Sequence, residues 1–421
     1  MSTRIVVVGG GTAGARLAQR LPVTLLGEET HAPYNRVLLA DVLAGRYAPE
    51  VIALPGAREP VRLGTRAVRI DRAARTVECA DGSRVGYDRL VLATGSNPVL
   101  PPLRGLRGAA LPSGVHPFRT LDDCLSLRAL VRPGVRAVVV GGGLLGVSAA
   151  RALAERGADV VLTQQGERLM ERQLDERASA LLREHVEALG VEVHTECRVS
   201  GLRQRDGAVT AVELADGFVL DARVVVLACG VRPRVALARE AGLSVATGIV
   251  VDDELRTSDP LIHAIGDCAE HAGRVYGLAG PALDQADVLS DRLLAETSAH
   301  LRAGDRSAGA ERMPTAGGRP PTARYTGTRA LTRLTLTGPS PLDLAAFGQV
   351  TAGPGDDVVE LSDSTRSAYR KVVVRGDRLV GGVLLGDLAA VGALARAWEG
   401  DEALPDEAPL IHLLTHDGGP S

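Results

Sequence analysis

Residues 5–14 read I-V-V-V-G-G-G-T-A-G, and their reading decides the class of fold. Four apolar residues, three of them valine, mark a buried strand that begins almost at the N-terminus. Gly9, Gly11 and Gly14 follow in G-x-G-x-x-G spacing, and Ala13, Ala15, Leu17 and Ala18 open a helix. In such a unit the first glycine permits a tight turn and the second lets backbone approach a pyrophosphate. The third lets the helix pack against the strand. The helix N-terminus supplies free N–H groups and the positive end of its dipole. Residues 23–26, V-T-L-L, read as the next strand and lead into Gly27-Glu28. An acid at that distance from the glycine turn binds ribose hydroxyls, which makes Glu28 a candidate. Strand, glycine turn, helix, strand and acid together predict an α/β dinucleotide-binding unit.

The pattern then repeats. Residues 137–140 are A-V-V-V, and Gly141, Gly143 and Gly146 restate the glycine spacing before an alanine-rich helix. Residues 159–163 form the following strand, but Gln164 and Gln165 stand where the acid is expected. An acid there favours the 2′-hydroxyl of NAD and an arginine the 2′-phosphate of NADP, so glutamine selects neither. Two nucleotide units in one chain suggest electron transfer between two dinucleotides.

Other signals are local. The polar loop H-A-P-Y-N-R (31–36) follows the first unit, which suggests that Arg36 faces the ligand. Residues 90–92 read as a buried strand running into Ala93-Thr94-Gly95, and residues 98–117, rich in Pro and Gly, as a connector. Asp267 follows an apolar strand and a glycine, so its carboxylate projects at a strand's carboxyl end, where α/β sheets bind ligands. A helix is expected from about 175 to 189. Residues 302–322 lack apolar periodicity and read as a linker. Beyond them, alternation at 331–336 and a hairpin over 369–385 with a turn at Gly376-Asp377 predict a small α+β domain.

Composition sets bounds. The 421 residues suffice for two or three domains, and 45% hydrophobic with 24% charged residues is ordinary for a globular protein. A net charge of -3 suggests neither nucleic acid nor an anionic membrane as partner. No apolar run approaches a membrane span. Cys79, Cys124, Cys197, Cys229 and Cys268 form no C-x-x-C pair, so no metal or redox-thiol motif is expected, and isolated thiols fit a reducing cytoplasm. The first strand leaves no room for a signal peptide. A cytoplasmic location is therefore the expectation.

The order of these motifs resembles the two-dinucleotide flavoprotein reductases of the glutathione-reductase superfamily. Within it the chain is most similar to the rubredoxin and ferredoxin reductase branch, and there to the flavoprotein region of the NAD(P)H nitrite reductase large subunit. G-E-E-T-H-A-P-Y-N-R-V-L-L (27–39), R-L-M-E-R-Q-L-D (168–175) and Y-R-K-V-V-V…L-V-G-G-V-L-L-G-D (369–387) carry the resemblance. It implies two Rossmann-like domains of glutathione-reductase type plus a small C-terminal α+β domain. The expected boundaries are 1–113 with 245–300 for FAD, 114–244 for NAD(P), a linker over 301–321, and 322–412 for the last domain.

By the same resemblance, Gly9, Gly11, Ala13 and Gly14 hold the FAD pyrophosphate and Glu28 its ribose. Arg36 lies along the FAD and Ala67 meets its adenine. Thr94 and Gly95 lie between the cofactors, Arg119 approaches the flavin, Asp267 binds the ribityl chain and Ala279 lies near the ring. Gly141, Gly143, Gly146, Gln164 and Gly230 surround the nicotinamide dinucleotide. The chain departs from the pattern at Ser148, where a glutamate is usual, and at Asp41, where the ferredoxin reductases carry lysine. The region after Tyr34 has no cysteine, unlike the coenzyme-A-disulfide reductase and NADH oxidase branches.

The implied activity is an FAD-dependent NAD(P)H oxidoreductase in which the cofactors do the chemistry and no side chain acts as acid or base. The implied acceptor is a partner redox protein, a nitrate or nitrite reductase or a small iron–sulfur protein. Three alternatives stay open: a ferredoxin or rubredoxin reductase of another pathway, a quinone or oxygen reductase, and a non-catalytic flavin-binding redox sensor.

Overall fold

The structure, a computed structural model, describes residues 3–106, 110–306, 323–337, 341–363, 365–404 and 410–415. The chain divides by its internal contacts into two units. The first gathers Met1–Arg36, Glu50–Asn97 and Arg232–Thr328, and the second Val37–Pro49, Pro98–Val231 and Arg329–Ser421.

The first unit is built on a parallel four-stranded sheet in the order Ile262–Ala264, Arg89–Leu92, Ile5–Val8, Thr24–Leu26. Both faces are covered, so the strands are almost continuously apolar. Val7, Leu25, Leu90, Val91, Ile262 and Ala264 are fully buried. The glycine-opened helix Thr12–Arg20 packs beside the long helix Ala279–Arg306, and Asp287 of the latter receives Arg16 through two bonds of 2.7 and 3.0 Å. The helix reaches into the first residues expected as linker, and 307–321 of that stretch lie outside the described residues. An antiparallel three-stranded sheet over Ala67–Asp71, Thr76–Cys79 and Arg84–Gly86 completes this unit.

The second unit has a parallel five-stranded sheet in the order Val191–His194, Asp159–Thr163, Arg136–Val140, Val224–Leu227, Val115–Pro117. The last of these lies in the stretch read as a connector. It is three residues long and ends in proline, which an edge strand tolerates because one side needs no ladder donor. The expected helix is present as Glu176–Ala188, capped by Asp175 and stopped by Gly190 at φ +86.

The C-terminal part of this unit is an antiparallel sheet in the order Thr332–Leu336, Leu342–Gly348, Arg378–Leu385, Ala368–Arg375, Asp357–Asp363. The predicted hairpin turns at Gly376, φ +59. The second and third strands in chain order, Leu342–Gly348 and Asp357–Asp363, were not expected from the sequence: the first is nearly all apolar and the second mostly exposed, so neither alternates cleanly. Trp398, on the helix Val391–Gly400, packs against Phe347 with ring centroids 5.2 Å apart.

Candidate functional site: two glycine turns and their neighbours

Each parallel sheet carries a glycine turn at the carboxyl end of the strand where the chain switches direction across the sheet, the usual ligand crevice of open α/β sheets. In the first unit, Gly9 has φ +118, and a Cβ there would lie 2.1 Å from the Ala93 carbonyl oxygen. A Cβ on Gly14 would meet the Gly9 carbonyl oxygen at 2.0 Å. Gly11 is different: nothing lies within 4 Å of its Cβ position, and its backbone is ordinary extended. It is also the N-cap of a helix that no side chain caps.

The second unit reproduces all three features. Gly141 has φ +111 with the Ala228 oxygen 2.5 Å from its Cβ position, Gly146 abuts the Gly141 oxygen at 1.7 Å, and Gly143 faces open space. Again no side chain caps the helix, Leu144–Glu155. In contrast, the helices Leu121–Leu130 and Glu176–Ala188 are capped by Thr120 and Asp175. Uncapped N–H groups behind a glycine with open space before it fit a pyrophosphate. The residues present thus fit one dinucleotide on each sheet.

Around the first turn, Asp267 is aimed by its neighbours. Ser96 Oγ donates to Asp267 Oδ2 at 3.0 Å, and the preceding residue, Gly266, sits at φ +76 with its N–H on Gln285 Oε1 at 2.7 Å. Gly266 lies against Ala13 of the glycine helix, 3.1 Å from its Cβ position to the Ala13 Cβ. Thr94 donates to the Arg234 carbonyl at 2.8 Å, and the Arg234 N–H returns to the Gly95 carbonyl at 2.9 Å. Glu28 is exposed and ion-paired with Arg234, whose Nε also reaches Asn97 at 2.6 Å. Arg36 is ion-paired with Glu29 and donates to the Tyr34 hydroxyl at 3.0 Å.

Gly9–Gly14, Thr94, Gly95 and Asp267 therefore gather at one sheet end, with Glu28 joined to them through Arg234. Ala67 begins the antiparallel sheet, opposite Cys79, and Ala279 begins the long helix. Arg119 belongs to the second unit, where its N–H is held by Asp123 at 3.1 Å.

Around the second turn, Gln164 turns its side-chain oxygen onto the backbone. Its Oε1 accepts the Gly142 N–H at 2.8 Å and so braces the glycine turn. Gly230, φ +96, has open space at its Cβ position. Ser148 Oγ donates to the Leu144 carbonyl of its own helix at 2.8 Å. Asp41 accepts from buried Arg151 at 2.9 Å and from Thr337 at 3.2 Å, so the carboxylate is a structural partner in this unit.

Burial raises the Cys124 thiol to about 12 and the Cys229 thiol to about 11, and it raises Cys197 and Cys268 as well. Such thiols stay protonated and are poor nucleophiles. Among the described residues no group of three His, Cys, Asp or Glu is arranged to hold a metal ion, and no helix is long and apolar enough to cross a membrane.

Sequence reasoning missed Ser96, Arg234 and Gln285. Only Gln285 left a signal, as a polar residue beside the apolar stripe Ala282, Ala286, Leu289; the structure leaves it 1% exposed.

Residues 3–286 match the pyridine nucleotide-disulphide oxidoreductase family, and residues 332–399 match the rubredoxin NAD+ reductase C-terminal domain. Nitrite reductase [NAD(P)H] of Bacillus subtilis is 33% identical over 99% of this chain and 50% of its own length. The assimilatory nitrate reductase electron transfer subunit of Bacillus subtilis is 30% identical over 91% of this chain and 48% of its own. The chain thus spans about half the length of the curated relatives it matches. A solved ferredoxin reductase from Rhodopseudomonas palustris superposes with a TM-score of 0.80 at 26% identity, covering 97% of this chain and 98% of that one. The chain belongs to the pyridine nucleotide-disulphide oxidoreductase family.

Proposed function

We propose that this chain takes electrons from NAD(P)H through FAD to a separate redox protein, the nitrate or nitrite reductase of an assimilation pathway, directly or through a small iron–sulfur carrier. One observation carries the reading. Both the dinucleotide region and the C-terminal sheet align with relatives named for nitrite reduction and for electron transfer to nitrate reductase. A ferredoxin acceptor of another pathway is the second reading, favoured by the likeness to a solved ferredoxin reductase.

When bound, the nicotinamide supplies a hydride and the flavin accepts it and releases electrons one at a time. The chain's residues bind and orient. Gly9, Gly11, Ala13 and Gly14 present N–H groups to the FAD pyrophosphate, and Asp267, held by Ser96, takes the ribityl hydroxyls. Gly141, Gly143, Gly146 and Gly230 form the cradle for the nicotinamide dinucleotide, with Gln164 bracing its turn. Residues 1–113 with 245–300 serve FAD and 114–244 serve NAD(P)H. No side chain moves a proton.

The test is a reconstituted assay of NAD(P)H, this protein and a candidate nitrate or nitrite reductase. Substrate-dependent NAD(P)H oxidation should require both proteins. If the reductase gains nothing while artificial dyes are reduced readily, the acceptor is another protein. If this chain reduces nitrite alone, the separate-partner reading is wrong.

A further inference from the structure

The two stretches R-L-M-E-R-Q-L-D (168–175) and Y-R-K-V-V-V (369–374) meet inside the second unit, and the meeting point is Asp175. Its Oδ1 accepts the Ala178 N–H at 3.0 Å, which caps the helix Glu176–Ala188. Its Oδ2 accepts the Tyr369 hydroxyl at 2.7 Å and the Lys371 ammonium at 2.9 Å. Tyr369 is fully buried, and the Asp175 and Lys371 side chains are each 11% exposed. From Asp175 the contacts lead to the nucleotide turn. The Leu174 N–H donates to the Met170 carbonyl at 3.0 Å, and the Met170 N–H to the Gly142 carbonyl at 2.9 Å. Ser179, in the capped helix, donates to the Leu169 carbonyl at 2.9 Å, and Leu169 packs against Gly142. A buried ion pair adds little net stability over an apolar replacement, so this clasp needs another account.

We propose that Asp175 is a positioning residue for NAD(P)H. Tyr369 and Lys371 of the C-terminal sheet fix it, and the segment 164–175 in turn fixes the second glycine turn against the nucleotide. The C-terminal sheet is then part of the nucleotide-binding apparatus. This rests on the reading of Gly141–Gly146 as the nucleotide site.

The experiment uses the full FAD-loaded chain with Lys371→Met, Tyr369→Phe and Lys371→Arg. NAD+ and NADP+ are titrated by the flavin absorbance change, and steady-state rates are measured with NADH and NADPH. The first two variants should raise the nucleotide dissociation constant and KM about tenfold, the scale of one lost hydrogen bond to a charged group. Flavin content and kcat at saturation should stay at the wild-type level, and Lys371→Arg should restore binding. Tyr369→Phe removes a single hydroxyl and keeps the test available if Lys371→Met does not fold. Arg329→Met, which breaks bonds to the Trp398 carbonyl and Asp401 elsewhere in the C-terminal part, is the control and should leave nucleotide binding alone. Unchanged binding in both test variants overturns the proposal, even if they melt earlier. So does an equal loss in the control. Gly143→Asp separates the premises: if it binds nucleotide normally, the site reading fails and the proposal with it. If it loses binding while Lys371→Met and Tyr369→Phe keep theirs, the positioning role alone fails.

Discussion

Gly143→Asp should stabilise the protein and abolish nucleotide binding. Gly143 is the N-cap of the helix Leu144–Glu155, with φ -80 and ψ -175, a conformation open to any residue. Its Cβ position has no atom within 4 Å, so the new side chain meets no protein. An aspartate there gains a capping bond worth a few tenths of a kcal/mol over glycine. It also gains roughly 0.3–1 kcal/mol from the helix dipole. The fold should therefore be more stable by about 0.5–1 kcal/mol, read as a higher melting temperature. A pyrophosphate seated on the same N–H groups would face that carboxylate. Two like charges about 4 Å apart repel by about 4 kcal/mol at an effective dielectric near 20, and partial screening leaves a loss of at least ~100-fold in affinity. Thermal melts and NAD(P)H titration of the flavin absorbance measure the two effects on one sample, and Gly143→Ser supplies a cap without charge. A folded Gly143→Asp protein that binds NAD(P)H within threefold of wild type would refute the argument, because no phosphate could then lie over Gly143. Gly11→Asp tests the first turn in the same way, with flavin content as the readout.

Asp267→Ala should weaken FAD binding by about 1.5–3 kcal/mol, the loss of hydrogen bonds to a charged acceptor, measured by flavin titration of the apoprotein; unchanged affinity removes Asp267 from the site. Preference between NADH and NADPH should stay below about 100-fold in kcat/KM, or roughly 2.7 kcal/mol, because Gln164 is uncharged and turned onto Gly142; a preference of thousands means another residue reads the 2′ position. His263 is 1% exposed, and burial, with Arg89, Arg292 and Arg256 nearby, depresses its pKa from 6.5 to about 3. Between those values the unfolded chain binds a proton that the folded chain does not, so stability falls as pH falls, by up to about 1.4 kcal/mol per pH unit. His263→Met should flatten that slope in urea titrations between about pH 6 and pH 4, and an unchanged slope would assign the acid sensitivity to other groups.

What was legible in the sequence is what short-range backbone sterics enforce. Gly9 and Gly141 could be placed because a Cβ at either would strike the strand running beside it, Ala93 in one case and Ala228 in the other. The helix Glu176–Ala188 could be bounded because its cap, Asp175, and its stop, Gly190, act within a few residues. The turn at Gly376-Asp377 was legible for the same reason, with a glycine φ of +59. Side-chain partnerships were not. Ser96 meets Asp267 across 171 residues and Arg234 meets Glu28 across 206, distances over which periodicity carries no information. Gln164 is such a case: its place at a strand end puts it beside the second glycine turn, but that its Oε1 accepts the Gly142 N–H one strand away is seen only in the structure. Asp175 shows the reverse. Read locally it is only a helix cap, and its second oxygen belongs to residues 194 and 196 positions later. The cap makes the helix predictable. The second oxygen joins the segment 168–175 to the C-terminal sheet within the second unit.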